Sequence, residues 1–288
     1  MMSEKENASN TFRRTVRIVT GVAAALHFVQ AFIALGVSLA KDTRFKLVQN
    51  YASWPKEHTE AIVFAQTNGG TLNLKYLIVS FFLLSALFQG IPTLITPVWI
   101  WLYNSIQYKG IQPFRWVEYA ASASVLLLAC AAVNGVNDLH FLLILFFTNA
   151  TIMMLGLVQE VFAYVYLAAK GVSGHIVEFL LPHLVGWLAY IPIWAVLMTK
   201  FALASKHSDE APPPLIVALY ACNIIAFTSF GLVQLVEMVY IYKAPERRGV
   251  YAVRAELAYT VLSFIAKTST AWFFFGGVVS SSVFAKPA

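Results

Sequence analysis

Charged residues are scarce in this 288-residue chain: they make up 12% of it, against 59% hydrophobic residues. Soluble globular domains carry roughly 25% charged residues, so the composition excludes an ordinary water-soluble domain. Long uncharged stretches recur along the whole chain, and each is long enough to cross about 30 Å of hydrocarbon, which takes about 20 helical residues. The sequence therefore predicts an integral, multi-pass protein of the cell membrane.

The apolar stretches lack the alternation of polar and apolar residues that marks the strands of a membrane β-barrel. Each stretch is continuously apolar, which is typical of a spanning helix. We therefore predict an all-α fold, a bundle of seven transmembrane helices. The predicted spans are Ile18–Ala40, Tyr76–Tyr108, Trp116–Asn137, Leu139–Ala169, Ile176–Thr199, Pro212–Tyr242 and Leu257–Ala285.

Most connections between the predicted spans are too short to hold another domain. The exception is residues 41–75, where the run Ile62–Phe64 and the turn signal Asn68-Gly69-Gly70 favour a small β-hairpin. We interpret residues 1–14 as a polar N-terminal tail and residues 15–288 as one membrane domain, with residues 41–75 as its extracellular cap. Eleven of the loop lysines and arginines fall on the N-terminal side and eight on the other, which favours a cytoplasmic N-terminus.

Several kinds of functional motif are missing. The two cysteines, Cys130 and Cys222, both fall inside predicted spans, which favours buried free thiols over a disulfide. The sequence shows no metal-ligand cluster, phosphate loop or hydrolase motif, so we predict neither a metal site nor an enzyme. The net charge of +6 is spread over several loops, which indicates contact with anionic lipid head groups rather than nucleic acid.

Lys267 is the only formally charged residue between Leu257 and Ala285, about 15 Å along the span at 1.5 Å per residue. A lysine at that depth should face the bundle interior and have a partner. One interpretation is a structural ion pair. The other is a covalent imine, because a desolvated amine is a nucleophile that condenses with an aldehyde.

A protonated imine in hydrocarbon needs a negative partner, for which Glu118 at the start of the third span is the best candidate. The third and seventh helices run in the same direction, and a helical side chain leans towards its own N-terminus, so Lys267 should lean towards Glu118. Ser263 and Ser122, one turn from each, favour a shared polar pocket. The alternative is that Glu118 lies at the membrane interface and pairs with Arg115.

This arrangement resembles a microbial-type rhodopsin and, more narrowly, a heliorhodopsin. The resemblance covers nearly the whole chain and is carried by Arg115–Tyr119 with Ser122–Ser124, Asn149–Glu160, Phe227–Gln234, Ser263–Lys267 and Ala271-Trp272. It implies all-trans retinal bound to Lys267 as a Schiff base, isomerisation by light to a 13-cis form, Glu118 as counterion, a membrane homodimer and a cytoplasmic N-terminus.

The resemblance also implies roles for other residues. Phe227, Phe230 and Gln234 would line the chromophore, with Trp187 and Tyr190 as weaker candidates whose alternative is ordinary helix packing. A second group would form a polar network beside the Schiff base: His27, Ser85, Asn149 and Thr260, with Gln89 where the family often has a second histidine. Because glutamine takes up no proton at ordinary pH, a histidine-pair proton store is in doubt here.

The output of photon capture is less constrained by the sequence. A proton pump usually keeps a donor carboxylate three turns beyond the counterion, where this chain has Ala129, and a chloride pump usually lacks the counterion carboxylate. A photosensory protein with an unknown signalling partner is the leading hypothesis. A proton path through Glu160, Glu178 and Glu237 is the first alternative. A light-regulated adaptor that docks through the basic stretch 243–254 is the second.

Overall fold

The computed structural model describes residues 4–38, 44–53, 63–208 and 211–276. Within them, seven helical segments are long and apolar enough to cross a membrane, which confirms the predicted seven-span, all-α fold. The helices are α1 (Glu4–Ser38), α2 (Leu74–Leu94), α3 (Thr96–Asn104), α4 (Pro113–Val133), α5 (Leu139–Lys170), α6 (Ile176–Phe179), α7 (Leu181–His207), α8 (Pro214–Lys243) and α9 (Arg248–Phe274). The strands are β1 (Arg44–Ser53) and β2 (Val63–Asn73).

The spanning helices pack as a closed ring. Going round it, α1 contacts α2, α2 contacts α4, α4 contacts α5, α5 contacts α7, α7 contacts α8, α8 contacts α9, and α9 returns to α1. Large apolar side chains such as Phe28, Phe32 and Phe147 point outwards, as expected for side chains whose solvent is lipid. The ring encloses buried polar residues from most of its members.

Two predicted spans are interrupted. The second divides into α2, α3 and a π-helix over Ser105–Lys109, with the break at Ile95, whose backbone is extended. Pro97 follows in the first turn of α3, where a residue without an N–H is tolerated. The fifth predicted span divides at Leu180 into α6 and α7, and here too a proline, Pro182, lies in the first turn of the helix that follows.

Two helices begin earlier than predicted. The last begins at Arg248 rather than Leu257, and α1 begins at Glu4, inside the segment interpreted as a tail. Polar residues at a membrane interface are compatible with helix, so hydropathy marks the edge of the apolar layer and not the end of the helix. The predicted ends of the first and seventh spans lie outside the described residues.

The segment between α1 and α2 contains the predicted β-hairpin, with β1 and β2 paired antiparallel. Asn68-Gly69-Gly70 does not form its turn, because these residues lie inside β2 at a bulge between Leu47 and Val48 of β1. Gly70 has a positive φ of 97°, and its N–H donates to the Asn68 side chain. A flexible Asn-Gly sequence serves a bulge as well as a turn.

Small residues let the helices approach closely in the core. Ala31, Ala34, Ala131 and Ala132 are almost fully buried. Gly156 in α5 faces the indole of Trp116, so closely that a Cβ atom there would lie 2.3 Å from the ring. Association of helices in lipid depends on such van der Waals contact, because lipid tails are as apolar as the side chains.

Candidate functional site

Lys267 of α9 and Glu118 of α4 meet inside the ring. The Lys267 ammonium donates to Glu118 Oε1, and the two residues are only 5% and 2% exposed. The predicted pairing across two parallel helices is therefore present in the structure. Glu118 does not pair with Arg115, whose guanidinium binds other carboxylates.

Polar groups of α2 and α4 surround this ion pair. Lys267 Nζ donates to Ser85 Oγ at 2.6 Å, and Ser85 Oγ donates to Glu118 Oε1 at 2.8 Å. Ser122 Oγ lies 3.3 Å from Glu118 Oε1, and Gln89 Nε2 lies 3.3 Å from Glu118 Oε2. Glu118 thus receives four donors, which stabilise its negative charge at a site that excludes water.

The other predicted members of the polar network occupy different places. His27 is fully buried, with its ring against Phe82 and Phe264, and its ring nitrogens have no hydrogen-bond partner in the described part of the chain. Ser263 is fully buried one turn before Lys267. Thr260 donates to the backbone of its own helix.

Asn149, also predicted to belong to the polar network, binds Ser124 rather than the Lys267–Glu118 pair. Its side chain donates to Ser124 Oγ at 3.0 Å, and in the described part of the chain it makes no hydrogen bond to Lys267 or Glu118. Asn149 therefore joins α5 to α4 two residues beyond Ser122.

An apolar slot extends from Lys267 into the bundle. Its first part is a narrow cavity of about 30 Å³ that Lys267 shares with Tyr119, Met153, Phe227 and Phe230 among others. A second cavity of about 60 Å³ shares Met153, Phe227 and Phe230 as walls, so the two are neighbours. Both are lined mainly by apolar side chains, as sites for small apolar ligands are.

The second cavity, farther from Lys267, is lined by several polar side chains. Gln234, Trp187 and Tyr190 line it as predicted candidates, together with His183. His183 accepts from Trp187 Nε1 at 2.8 Å, and its other ring nitrogen lies 3.1 Å from Gln234 Oε1. The slot has apolar walls and a buried amine at one end, which is the chemistry that an elongated apolar molecule ending in an aldehyde requires.

A second buried ion-pair cluster lies beside the first site. Arg115 donates to Glu160 of α5 and to Glu256 of α9, and Gln112 donates to both carboxylates, to Glu160 Oε2 through its backbone at 2.7 Å and to Glu256 Oε1 through its side chain at 2.9 Å. The Arg115 guanidinium also lies 3.9 Å from the ring centroid of Tyr259. This cluster joins three spanning helices.

The three acids of the predicted proton path do not share one environment. Glu160 and Glu237 are buried, at 1% and 4% exposure. Glu178 lies outside the spans, is about half exposed and pairs with Lys170 at 2.9 Å. Hydrogen bonds from Lys170 and Tyr166 lower the pKa of Glu178 below its ordinary value. Glu178 is therefore a surface ion-pair partner, separate from the buried acids.

Sequence reasoning missed Glu256 and His183. Glu256 falls just before the predicted start of the last span, and its ion-pair partner Arg115 is 141 residues away, so no local pattern joins them. His183 gave a weak signal, a histidine within a predicted span and one turn before Trp187.

The chain was compared with known families and structures. The heliorhodopsin family model matches residues 16–279, whereas no curated protein matches. The transmembrane domain of Salpingoeca rosetta rhodopsin phosphodiesterase superposes with a TM-score of 0.52 at 12% identity, covering 96% of this chain and 86% of that chain. Cyanorhodopsin from Tolypothrix sp. NIES-4075 gives 0.50 at 13% identity, covering 94% and 100%.

Identities this low show a shared fold and nothing finer. The family match is of a different kind, because it extends from the first spanning helix to beyond Lys267 and includes both ion pairs. This chain belongs to the heliorhodopsin family.

Proposed function

We propose that this chain is a photoreceptor that holds all-trans retinal on Lys267 and converts absorbed light into a conformational signal. The observation that carries the proposal is the buried Lys267–Glu118 pair at one end of an apolar slot. When bound, retinal supplies absorption of visible light and a light-driven change of shape. Membership of the family and the fold of the rhodopsin neighbours support a retinal-binding photoreceptor in general.

The chain's own residues bind and move one proton. In the dark, Glu118 stabilises a positive charge on the Lys267 nitrogen, and Ser85 lies within hydrogen-bond distance of both groups. A displacement of that nitrogen breaks short contacts on which its charge depends, so its proton leaves. The changed charges then favour a second arrangement of the packed helices, which is the proposed signal.

The first test is visible absorption of the purified protein expressed with all-trans retinal. The wild-type chain should show a visible band that Lys267→Ala lacks. Lys267→Arg is the matched control, because it keeps a positive charge beside Glu118 but forms no imine, and it too should lack the band. A folded wild-type chain without a visible band would refute retinal binding.

A light-driven or light-gated proton conductance is the second candidate function. It is favoured by the buried acids Glu160, Glu237 and Glu256, of which Glu256 lines a cavity together with Glu118. Under voltage clamp, illumination should then give a current that Glu237→Gln removes and that the surface variant Glu178→Gln keeps. The absence of photocurrent at every voltage would exclude this function.

The third candidate function is that of a light-regulated adaptor without enzymatic activity of its own. In the basic stretch 243–254, Arg247 is exposed, whereas Arg248 packs its guanidinium 5.2 Å from the Tyr164 ring. We therefore expect Arg247 rather than Arg248 to serve a signalling partner on a cytoplasmic N-terminal face. A pulldown that changes with light and fails in Arg247→Gln would support docking.

The proposed homodimer is checked by the mass of the detergent-solubilised particle.

A further inference from the structure

Glu237 of α8 is a buried carboxylate without a cation of its own. It is 4% exposed, and its Oε2 has no hydrogen-bond partner among the residues that the structure describes. Arg115, Glu160 and Glu256 lie close enough for their charges to act on it, and so does Tyr259 of α9. We call Arg115, Glu160, Glu237 and Glu256 the Arg115 cluster.

The charges in this cluster do not balance. Both terminal nitrogens of Arg115 are already engaged, one by Glu160 and the other by Glu256. With all three glutamates ionised, three negative charges would face one positive charge at a buried site. Burying an uncompensated carboxylate costs so much free energy that such a group takes up a proton instead. Glu237 is the carboxylate without a partner, so the proton belongs there.

A cavity joins this cluster to the Lys267 site. It is a narrow cavity of about 20 Å³, lined by Glu118, Arg115 and Glu256 among others. Thr20 Oγ1, Gln89 Oε1 and the Tyr259 hydroxyl belong to lining residues and have no hydrogen-bond partner in the described ranges. A polar cavity of this size has room for ordered water, which relays protons between the groups that it contacts.

We propose that Glu237 stores a proton in the dark and that the Arg115 cluster exchanges protons with the Lys267 nitrogen through this cavity. With Glu237 neutral, the cluster retains one negative charge in excess, which attracts a proton that leaves the Lys267 nitrogen. The proton enters at Glu256, which lines the cavity, and returns by the same route. Only N–H and O–H bonds form and break. The exchange part rests on the proposed photoreceptor function, whereas the dark-state part does not.

The dark-state part is tested by infrared difference spectroscopy of the full chain in lipid nanodiscs. The wild-type spectrum minus that of Glu237→Gln should contain the carbonyl stretch of a protonated carboxylic acid, shifted in D₂O. Glu178→Gln is the matched control and should remove only ionised carboxylate bands. Ionised carboxylate bands in the Glu237→Gln difference would overturn the proposal, whether or not the protein binds retinal.

The exchange part is tested by light-minus-dark infrared spectra of wild-type protein labelled with ¹³C-glutamate. A carboxylic acid band that moves with the label should change as the visible band is lost, and this change should be missing in Glu256→Gln, which has no carboxylate to receive the proton. The unlabelled wild-type protein makes this readout independent of how well any variant folds. A light-minus-dark spectrum identical in wild-type protein and Glu256→Gln would overturn the exchange.

Discussion

At the scale of single residues, the proposed function depends on how strongly Glu118 holds a positive charge on the Lys267 nitrogen. Four donors converge on the Glu118 carboxylate: Lys267, Ser85, Ser122 and Gln89. Three of them are neutral, so they position the carboxylate without cancelling its charge. The carboxylate therefore keeps its negative charge for the Lys267 nitrogen, as the proposed counterion must.

Glu118→Gln should remove the partner of the positive nitrogen while keeping nearly the same shape. In a site closed to water, an unpaired positive charge is unstable, so the nitrogen loses its proton more readily. We expect an ultraviolet-absorbing unprotonated form to predominate at neutral pH in chloride-free buffer. The measurement is a pH titration of the absorption spectrum.

Ser122→Ala is the matched control for this experiment, because it removes one weak donor and leaves the charge. Its spectrum should shift only slightly from that of the wild-type protein. A Glu118→Gln spectrum and titration that coincide with the wild-type curves would show that Glu118 is not the counterion.

The Lys267–Glu118 pair could be predicted from the sequence because each charge stands alone in an apolar span, and lipid leaves such a residue few alternatives. The partners of Arg115 could not be predicted in the same way. Arg115 stands at the start of α4, where pairing with a neighbouring residue is equally reasonable. The choice of Glu160 and Glu256 follows from the packing of α5 and α9 against α4, which is a tertiary property.

At the scale of elements, the β-hairpin is attached to the helical ring through Asp138. Asp138 caps α5 by accepting from the Phe141 N–H at 2.7 Å, and it also accepts from the Asn50 side chain at 2.6 Å. The Val48 N–H donates to Asn137 O at 2.9 Å. One carboxylate therefore fixes both a helix start and a strand.

Asp138→Ala should loosen the hairpin and the first turn of α5, with a loss of about 0.5–2 kcal/mol, as for other helix N-caps. The hydrogen bond from the Phe141 N–H, followed by those from Asn50, lowers the pKa of Asp138. The stabilisation is therefore present at neutral pH and is lost as the pH falls through that lowered pKa. Hydrogen exchange of the β1 amides should accelerate in the variant at neutral pH and match the wild type in acid.

Asn134→Ala is a suitable control, since Asn134 lies at the C-terminal end of α4, before Asp138 in the chain, and makes no hydrogen bond to the hairpin in the described structure. Its β1 amides should exchange as slowly as those of the wild type. Equal exchange in Asp138→Ala and wild type at neutral pH would refute the anchoring role.

The sequence predicts the existence of this hairpin but not its register. Asn-Gly is a strong turn signal, yet Asn68-Gly69 lies in β2, where the bulge opposite Leu47 and Val48 uses the same backbone freedom. The positive φ of this segment is at Gly70, and glycine in that conformation serves hairpin turns and some bulges alike, so the motif cannot distinguish between them. Only the pairing with β1 decides which one forms.

At the scale of the whole molecule, the Arg115 cluster links helices that are distant in sequence. Arg115 belongs to α4, Glu160 to α5 and Glu256 to α9, so one guanidinium connects three members of the ring. A change in the charge of this cluster acts on all three helices at once. The cluster is therefore suited to transmit a change in proton position to the arrangement of the bundle.

Arg115→Gln should destabilise the protein strongly, because it leaves Glu160 and Glu256 buried without their cation. Breaking a buried ion pair from one side costs about 3–5 kcal/mol. In acid the orphaned carboxylates take up protons, so the loss should shrink as the pH falls. Thermal unfolding in detergent, followed at neutral and acidic pH, measures both effects.

Arg248→Gln serves as the control because Arg248 is half-buried over Tyr164 and makes no ion pair among the described residues. Arg248→Gln should lower the unfolding temperature less than Arg115→Gln does, and by the same amount at both pH values. If Arg115→Gln behaved like Arg248→Gln at both pH values, the Arg115 cluster would not hold the ring together. The coupling between the Lys267 site and the bundle would then have to pass through apolar contacts, such as the packing of Phe230 between Tyr119 and Tyr259.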